Sequence, residues 1–204
     1  MKIVVADALP LRAKQADFSF EIDSRIVAPF DAVPFRTEML PSRQKVYGLD
    51  EDLFEPRDSR NAGLFVAGEG ETIAGYVAIS RAWNKCAEIV DIAVARPFRG
   101  RGLATSLMNT AALWAHEVGL HTMRLETQTT NVAACRFYQH YGFMLGGYDR
   151  YLYRGLGPEI AQDIALFWYL HDATDRWCET APEPARPAPR HVRRVTLRGD
   201  QRSF

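Results

Sequence analysis

The stretch AEIVDIAVARPFRGRGLATSLMNTAALWAHEVG, Ala87 to Gly119, decides the fold. It opens with a run of apolar and small residues, Ala87–Ala95, interrupted by Glu88 and Asp91, which reads as a buried strand. Arg96 to Arg101 is a basic turn with Pro97 and Gly100. From Gly102 to Val118 the period becomes helical, with Leu103, Leu107, Ala111, Trp114, Ala115 and Val118 on one stripe and Gly119 as the stop. A strand, a Gly turn and a helix in this order form the first half of a crossover to a parallel strand. Thr122–Gln128 supplies that second strand.

The turn itself is chemically pointed. A chain entering a helix presents free backbone N–H groups at the positive end of the helix dipole. Gly100 and Gly102 allow close approach of a pyrophosphate, and Arg99 and Arg101 add positive charge. No Lys-Ser/Thr pair follows, so it is not a P-loop, and the G-x-G-x-x-G spacing of a dinucleotide site is absent. Taken alone, such a turn serves equally well as a solvated connection.

Working outward, Leu64–Ala67 and Thr72–Ser80 flank Gly68-Glu-Gly-Glu71, a hairpin signal. Phe18–Val27 can hold a further strand, whereas residues 41–62 are polar and rich in turn formers. On the C-terminal side, Asn131 caps a second helix with Ala134, Phe137, Tyr138 and Tyr141 on one face and Gly142 at its end. Phe143–Leu145, Tyr148–Tyr153 and Ile160–Leu170 read as the last strands. The expected fold is a single α/β (α+β) domain over residues 1–180, a mixed, mostly antiparallel sheet with flanking helices.

Composition bounds the rest. The 204 residues carry no formal net charge and are 47% hydrophobic. That balance gives no electrostatic case for nucleic acid or a membrane surface. From Ala181 to Phe204 six Arg stand against Glu183 and Asp200, a net of +4, so residues 1–180 carry −4. Pro182, Pro184, Pro187 and Pro189 punctuate that basic segment, and a disordered tail is expected over 181–204. The cysteines, Cys86, Cys135 and Cys178, are odd in number and have no metal-ligand spacing, and neither do the five histidines. No metal is expected. The start lacks a signal-peptide pattern and no apolar run is long enough to span a bilayer, so the expected compartment is the cytoplasm.

Two motifs carry a resemblance. Arg99-Gly-Arg-Gly102-Leu103-Ala104 is similar to the Q/R-x-x-G-x-G/A signature of the GNAT acetyltransferase superfamily. Asn131-Val-Ala-Ala134-Cys-Arg-Phe-Tyr138-Gln-His-Tyr-Gly142-Phe143 resembles that superfamily's second conserved stretch. The likeness narrows to the streptothricin acetyltransferase group through Trp83-Asn84, Asp91-Ile-Ala-Val94, Leu125-Glu-Thr-Gln128 and Ile164-Ala-Leu-Phe-Trp-Tyr169. It covers about residues 17 to 170. Val90 departs from it, standing where that group has an acid.

The resemblance implies acetyl-CoA as cosubstrate. Its pyrophosphate would lie on Arg99 to Ala104, its pantetheine in a gap between Ala87–Ala95 and Thr122–Gln128, with Asn131 and Tyr138 nearby. Backbone N–H groups of Ile92, Ala93 and Val94 would polarise the acetyl carbonyl. Tyr138 would protonate the departing thiolate; the plainer reading of a helical Tyr is core packing. Glu88 ranks first as general base, because Ala-Glu-Ile-Val resembles the base-bearing strand of histone acetyltransferases in this superfamily. Asp91 stands three residues on, so a regular strand puts it on the opposite face, unless a bulge intervenes. Asp91, Glu126 and Trp83 are the substrate-side candidates, and either acid is an alternative base. Cys135 reads as a small packing residue.

The implied activity is N-acetylation of a small-molecule primary amine, that of streptothricin, as in antibiotic resistance. Other amines (a polyamine, an aminoglycoside, a protein N-terminus) are the alternatives, and so is a non-catalytic acyl-CoA sensor. A second copy of the chain is an admissible partner.

Overall fold

A computed structural model of the chain describes residues 1–56, 58, 60–158 and 160–171. The tail expected over 181–204, and residues 172–180 before it, lie outside the described residues. Within them are nine strands, β1 (Lys2–Val5), β2 (Phe20–Ile26), β3 (Thr37–Lys45), β4 (Ala62–Glu69), β5 (Thr72–Arg81), β6 (Ala87–Val94), β7 (Thr122–Gln128), β8 (Met144–Asp149) and β9 (Ala165–His171), and two α-helices, α1 (Leu103–Glu117) and α2 (Val132–Tyr141).

Seven strands form one sheet in the order β1-β4-β5-β6-β7-β9-β8, and β2 pairs with β3 in a separate two-stranded sheet. Every pairing is antiparallel except β6 with β7. The parallel pair follows from α1, whose crossover returns the chain to the same edge. Its register holds only at Ala87↔Met123 and Glu88↔Arg124. Beyond that rung the two strands part, and the sheet is splayed at its centre as expected.

One core fills the helical side. Leu103, Leu107, Met108, Ala111, Trp114 and Ala115 of α1 join Val77, Ile79 and Ile89 from the sheet and Val132, Cys135 and Tyr138 from α2. The α1 stripe is therefore the expected one with Met108 and Ala112 added, and Val118, just past the helix, packs partly buried against it. On α2 the deepest positions are Val132, Cys135 and Tyr138, while Ala134, Phe137 and Tyr141 pack on the flank. A second core of Leu9, Ala13, Leu53, Leu64, Val66, Ile73, Tyr76 and Ala78 covers the other face beneath two 3-10 turns, Leu11–Gln15 and Glu51–Phe54.

The strands differ from the sequence reading at several places: β1 was not expected, and the expected Phe143–Leu145 and Tyr148–Tyr153 are one strand, β8, running through Gly146 and Gly147. β3 runs through the stretch expected to be turns. The expected strand Tyr148–Tyr153 stops at Asp149, whose carboxylate accepts from the Tyr151 N–H at 2.7 Å and turns the chain. β9 begins at Ala165 rather than Ile160, because the chain first turns to bury Asp163.

Candidate functional site

The site begins at the turn between β6 and α1. Ala95 leads into a 3-10 turn, Arg96–Phe98, and Gly100 and Gly102 take φ of 72° and 76°. A Cβ at either glycine would meet nothing within 4 Å, so the left-handed backbone, not crowding, is what requires glycine there. Gly102 caps α1 and no side chain caps it. The first intrahelical bond runs from Ser106 N–H to Gly102 C=O, which leaves the N–H groups of Leu103, Ala104 and Thr105 without helical partners. An uncapped helix start entered by an open glycine turn fits a diphosphate.

Arg99 holds this turn in place. Its Nε donates to the Val94 carbonyl at 2.9 Å and its Nη2 to the Phe18 carbonyl at 3.0 Å. Burial lowers its pKa, opposed by Asp17. Arg99 is thus a brace as much as a charge for an anion. Arg101 lies over the Phe98 ring, 5.8 Å from its centroid, with its charge toward solvent.

Past the turn, the free edge of β6 lines the gap. Ala95 N–H donates to Ala74 C=O at 2.9 Å, and Val94 stands opposite Gly75. By the alternation of an antiparallel ladder, Ala93 also bonds toward β5, while Ile92 and Val94 face the parted side. The sequence reading grouped Ile92, Ala93 and Val94 as donors. The ladder ties Ala93 to β5, the Ile92 N–H is directed at the Asp91 carboxylate, and the Val94 N–H is left for the gap.

A bulge brings the β6 carboxylates together. The register with β5 passes from Ile79↔Ile89 to Ala78↔Asp91, so Val90 is the extra residue. Glu88 opposes Ser80 and Asp91 opposes Ala78, and those partners lie two apart on one face. Glu88 and Asp91 therefore share a face, where a regular strand would have separated them.

Their surroundings differ. Glu88 accepts from Arg124 Nη2 at 2.5 Å, at the last paired rung. Asp91 stands beyond that rung, in the gap, and accepts from the Tyr76 hydroxyl at 2.5 Å. Desolvation raises the Asp91 pKa, the Tyr76 hydrogen bond and the Ile92 N–H lower it, and Asp50 raises it further, with a net upward shift.

Glu126, on β7, shares the face of Arg124 and Gln128. Its carboxylate accepts from the Tyr153 hydroxyl at 2.5 Å, and Gln128 Nε2 donates to the same Tyr153 oxygen at 2.9 Å. The Tyr47 hydroxyl in turn donates to Gln128 Oε1. Next to this chain lies a buried ion pair, Lys45 with Asp163 at 3.1 Å, joined by the Thr130 hydroxyl. The Lys45 ammonium also stands 4.7 Å from the Tyr47 ring centroid.

Tyr138 approaches from α2. Asn131 caps that helix through its side chain, which accepts from Ala134 N–H at 3.2 Å, and Gly142 ends it at φ 110°. Asn131 thus has a structural duty of its own. The Tyr138 ring is 7% exposed, packed on Phe137, Phe143 and Trp168. Burial pushes its phenol pKa well up, with Cys135, Asp91 and Tyr47 adding to the shift, so the hydroxyl keeps its proton at neutral pH. Among the described residues no hydrogen-bond partner holds that hydroxyl.

Trp83 is the one sequence candidate set apart. It is 90% exposed on the β5–β6 turn, at the end of β6 opposite the glycine turn. Tyr47, Tyr76 and Tyr153 were not singled out from sequence. For Tyr76 a signal existed: a lone phenol inside the apolar run Thr72–Ser80 must find a partner once buried.

Known proteins resemble this chain in sequence and in fold. The sequence model of the Acetyltransferase (GNAT) family matches residues 33–143. Streptothricin acetyltransferase of Escherichia coli is 36% identical over 154 residues, 76% of this chain and 78% of that protein. Streptothricin acetyltransferase A of Bacillus subtilis (strain 168) is 41% identical over 95 residues, 47% of this chain and 54% of that protein. A candidate streptothricin acetyltransferase of Bacillus anthracis str. Ames, crystallised with acetyl coenzyme A, superposes with a TM-score of 0.70 at 30% identity over 83% of this chain and 99% of its own. Nourseothricin acetyltransferase gives a TM-score of 0.67 at 28% identity, covering 84% of this chain and 98% of its own. With a sheet that parts beside a glycine turn, and with these relatives across most of its length, the chain belongs to the GNAT family of acetyltransferases.

Proposed function

We propose that this acetyltransferase moves the acetyl group of acetyl-CoA to a primary amine of a streptothricin-type antibiotic. The observation that carries the reaction is the parting of β6 and β7 directly after the Glu88–Arg124 rung, with Asp91 inside the opening and the Tyr138 phenol close enough to feel its charge. The names of the relatives support the acceptor.

In this reading the N–H groups of Leu103, Ala104 and Thr105 and the Arg101 charge hold the pyrophosphate. The Val94 N–H group receives the acetyl oxygen as it gains negative charge. A cationic amine is drawn toward Asp91, with Asp50 adding negative charge nearby. Asp91 takes a proton from the ammonium, the neutral nitrogen bonds to the acetyl carbon, the carbon–sulfur bond breaks as Tyr138 protonates the thiolate, and the second proton of the amide nitrogen returns to the Tyr138 phenolate. Burial lifts Asp91 toward the range in which a carboxylate works as a base. Glu88, ranked first from sequence, is neutralised by Arg124, so Asp91 takes precedence in this mechanism. Glu126, steadied by Tyr153, faces the acceptor side.

The test is thiol release from acetyl-CoA with streptothricin, spermidine, kanamycin and short peptides as acceptors. The reading expects streptothricin to give the highest kcat/KM. Turnover confined to another amine refutes the acceptor while leaving the acetyl transfer intact.

A further inference from the structure

Tyr76 lies outside every motif that points to the reaction, yet it makes the only side-chain hydrogen bond to Asp91 found among the described residues. It is 1% exposed, so its hydroxyl was brought into the core together with the ring. A buried phenol without a partner is costly, and this one is satisfied by the carboxylate. The bulge at Val90 makes the meeting possible: without the extra residue Asp91 would turn to the face of Ile89, away from Tyr76.

The ring itself is held. Phe18 packs edge-on against it, with centroids 5.5 Å apart, and the Phe18 carbonyl accepts from Arg99. The same Arg99 braces the glycine turn through Val94. One contiguous set of contacts therefore runs from the coenzyme-side turn to Asp91.

We propose that Tyr76 is a positioning residue for the acetyl transfer, fixing the orientation of the Asp91 carboxylate and favouring its ionised form. This rests on the assignment of Asp91 as the base. Tyr76 takes Oδ2 and the Ile92 N–H also faces the carboxylate, and the lone pairs that remain on it are left to meet the acceptor amine. A hydrogen bond donated to a carboxylate favours its charged state, and it opposes the desolvation that raises Asp91. The other groups facing Asp91 are Asp50 before the Glu51–Phe54 turn, Tyr47 after β3 and Tyr138 on α2. Glu88, on the same strand, is paired to Arg124 of β7. Among these, Tyr76 alone donates a side-chain hydrogen bond to Asp91.

The experiment is the pH profile of kcat at saturating acetyl-CoA and amine for wild type and Tyr76→Phe. Loss of the donor raises the Asp91 pKa, so the acidic limb should move to higher pH by on the order of one unit. A merely structural tyrosine would lower the plateau without moving the limb, and that result overturns the proposal. Should Tyr76→Phe fail to fold, 3-fluorotyrosine at position 76 keeps the ring and strengthens the donor. Its limb should move to lower pH, and an unmoved limb again overturns the proposal. Asp91→Asn separates this claim from the one beneath it. Full turnover in Asp91→Asn removes Asp91 as base, whereas loss of turnover there with an unmoved limb in the Tyr76 variants removes only Tyr76.

Discussion

Glu88 and Arg124 meet at 2.5 Å on the last rung at which β6 and β7 still pair. The ion pair closes one end of the opening in which Asp91 stands. Glu88→Gln retains an acceptor for Arg124 and should change kcat by less than about tenfold, whereas Asp91→Asn should lower it by about 100- to 10,000-fold. Steady-state kinetics on the two variants decides between them. The reverse ranking would return the base to Glu88.

The glycine turn gives a binding prediction. Gly102→Glu places a negative charge and a side chain at the uncapped start of α1, and acetyl-CoA binding followed by calorimetry should be lost. Gly102→Ala is the control for backbone strain, since φ of 76° is costly for any L-residue. It should lose some stability but bind far better than the Glu variant. Equal losses in the two would assign the effect to the backbone alone.

Lys45 and Asp163 tie β3 to the segment before β9, with side chains 8% and 5% exposed. Asp163→Asn leaves a buried ammonium without its counter-charge and should cost about 3–5 kcal/mol in urea unfolding. Replacing both, as Lys45→Met with Asp163→Leu, should recover most of that. A single variant with unchanged stability would mean that water reaches Lys45.

The parts legible in the sequence were those with a one-sided burial pattern or a special backbone. The α1 stripe, the hairpin at Gly70 and the caps Asn131 and Gly142 all appeared where the periodicity and turn chemistry put them. β3 was hidden because it is exposed over nearly its whole length and contains Pro41, so no face imposes an apolar period. A bulge between Glu88 and Asp91 could be admitted from the sequence but not placed there. It is a property of pairing with β5, and one residue of slip reverses which acids share a face. The role of Arg99 was half legible: its charge was plain, but its two carbonyl partners come from segments distant in sequence. The tyrosine network around Glu126 joins β7 to residues 47 and 153, and no local spacing announces it.

We propose that acetyl transfer occurs in the opening between β6 and β7, with Asp91 receiving a proton and Tyr138 giving one. Tyr138→Phe keeps the ring packed on Phe143 and Trp168 and removes only the hydroxyl. The decisive measurement is kcat with the accepted amine beside the acetyl-CoA dissociation constant, both on this variant. With the hydroxyl gone, kcat should fall about 100-fold or more with the dissociation constant nearly unchanged. Wild-type kcat, under conditions where chemistry limits turnover, would contradict it and leave Tyr138 as a packing residue.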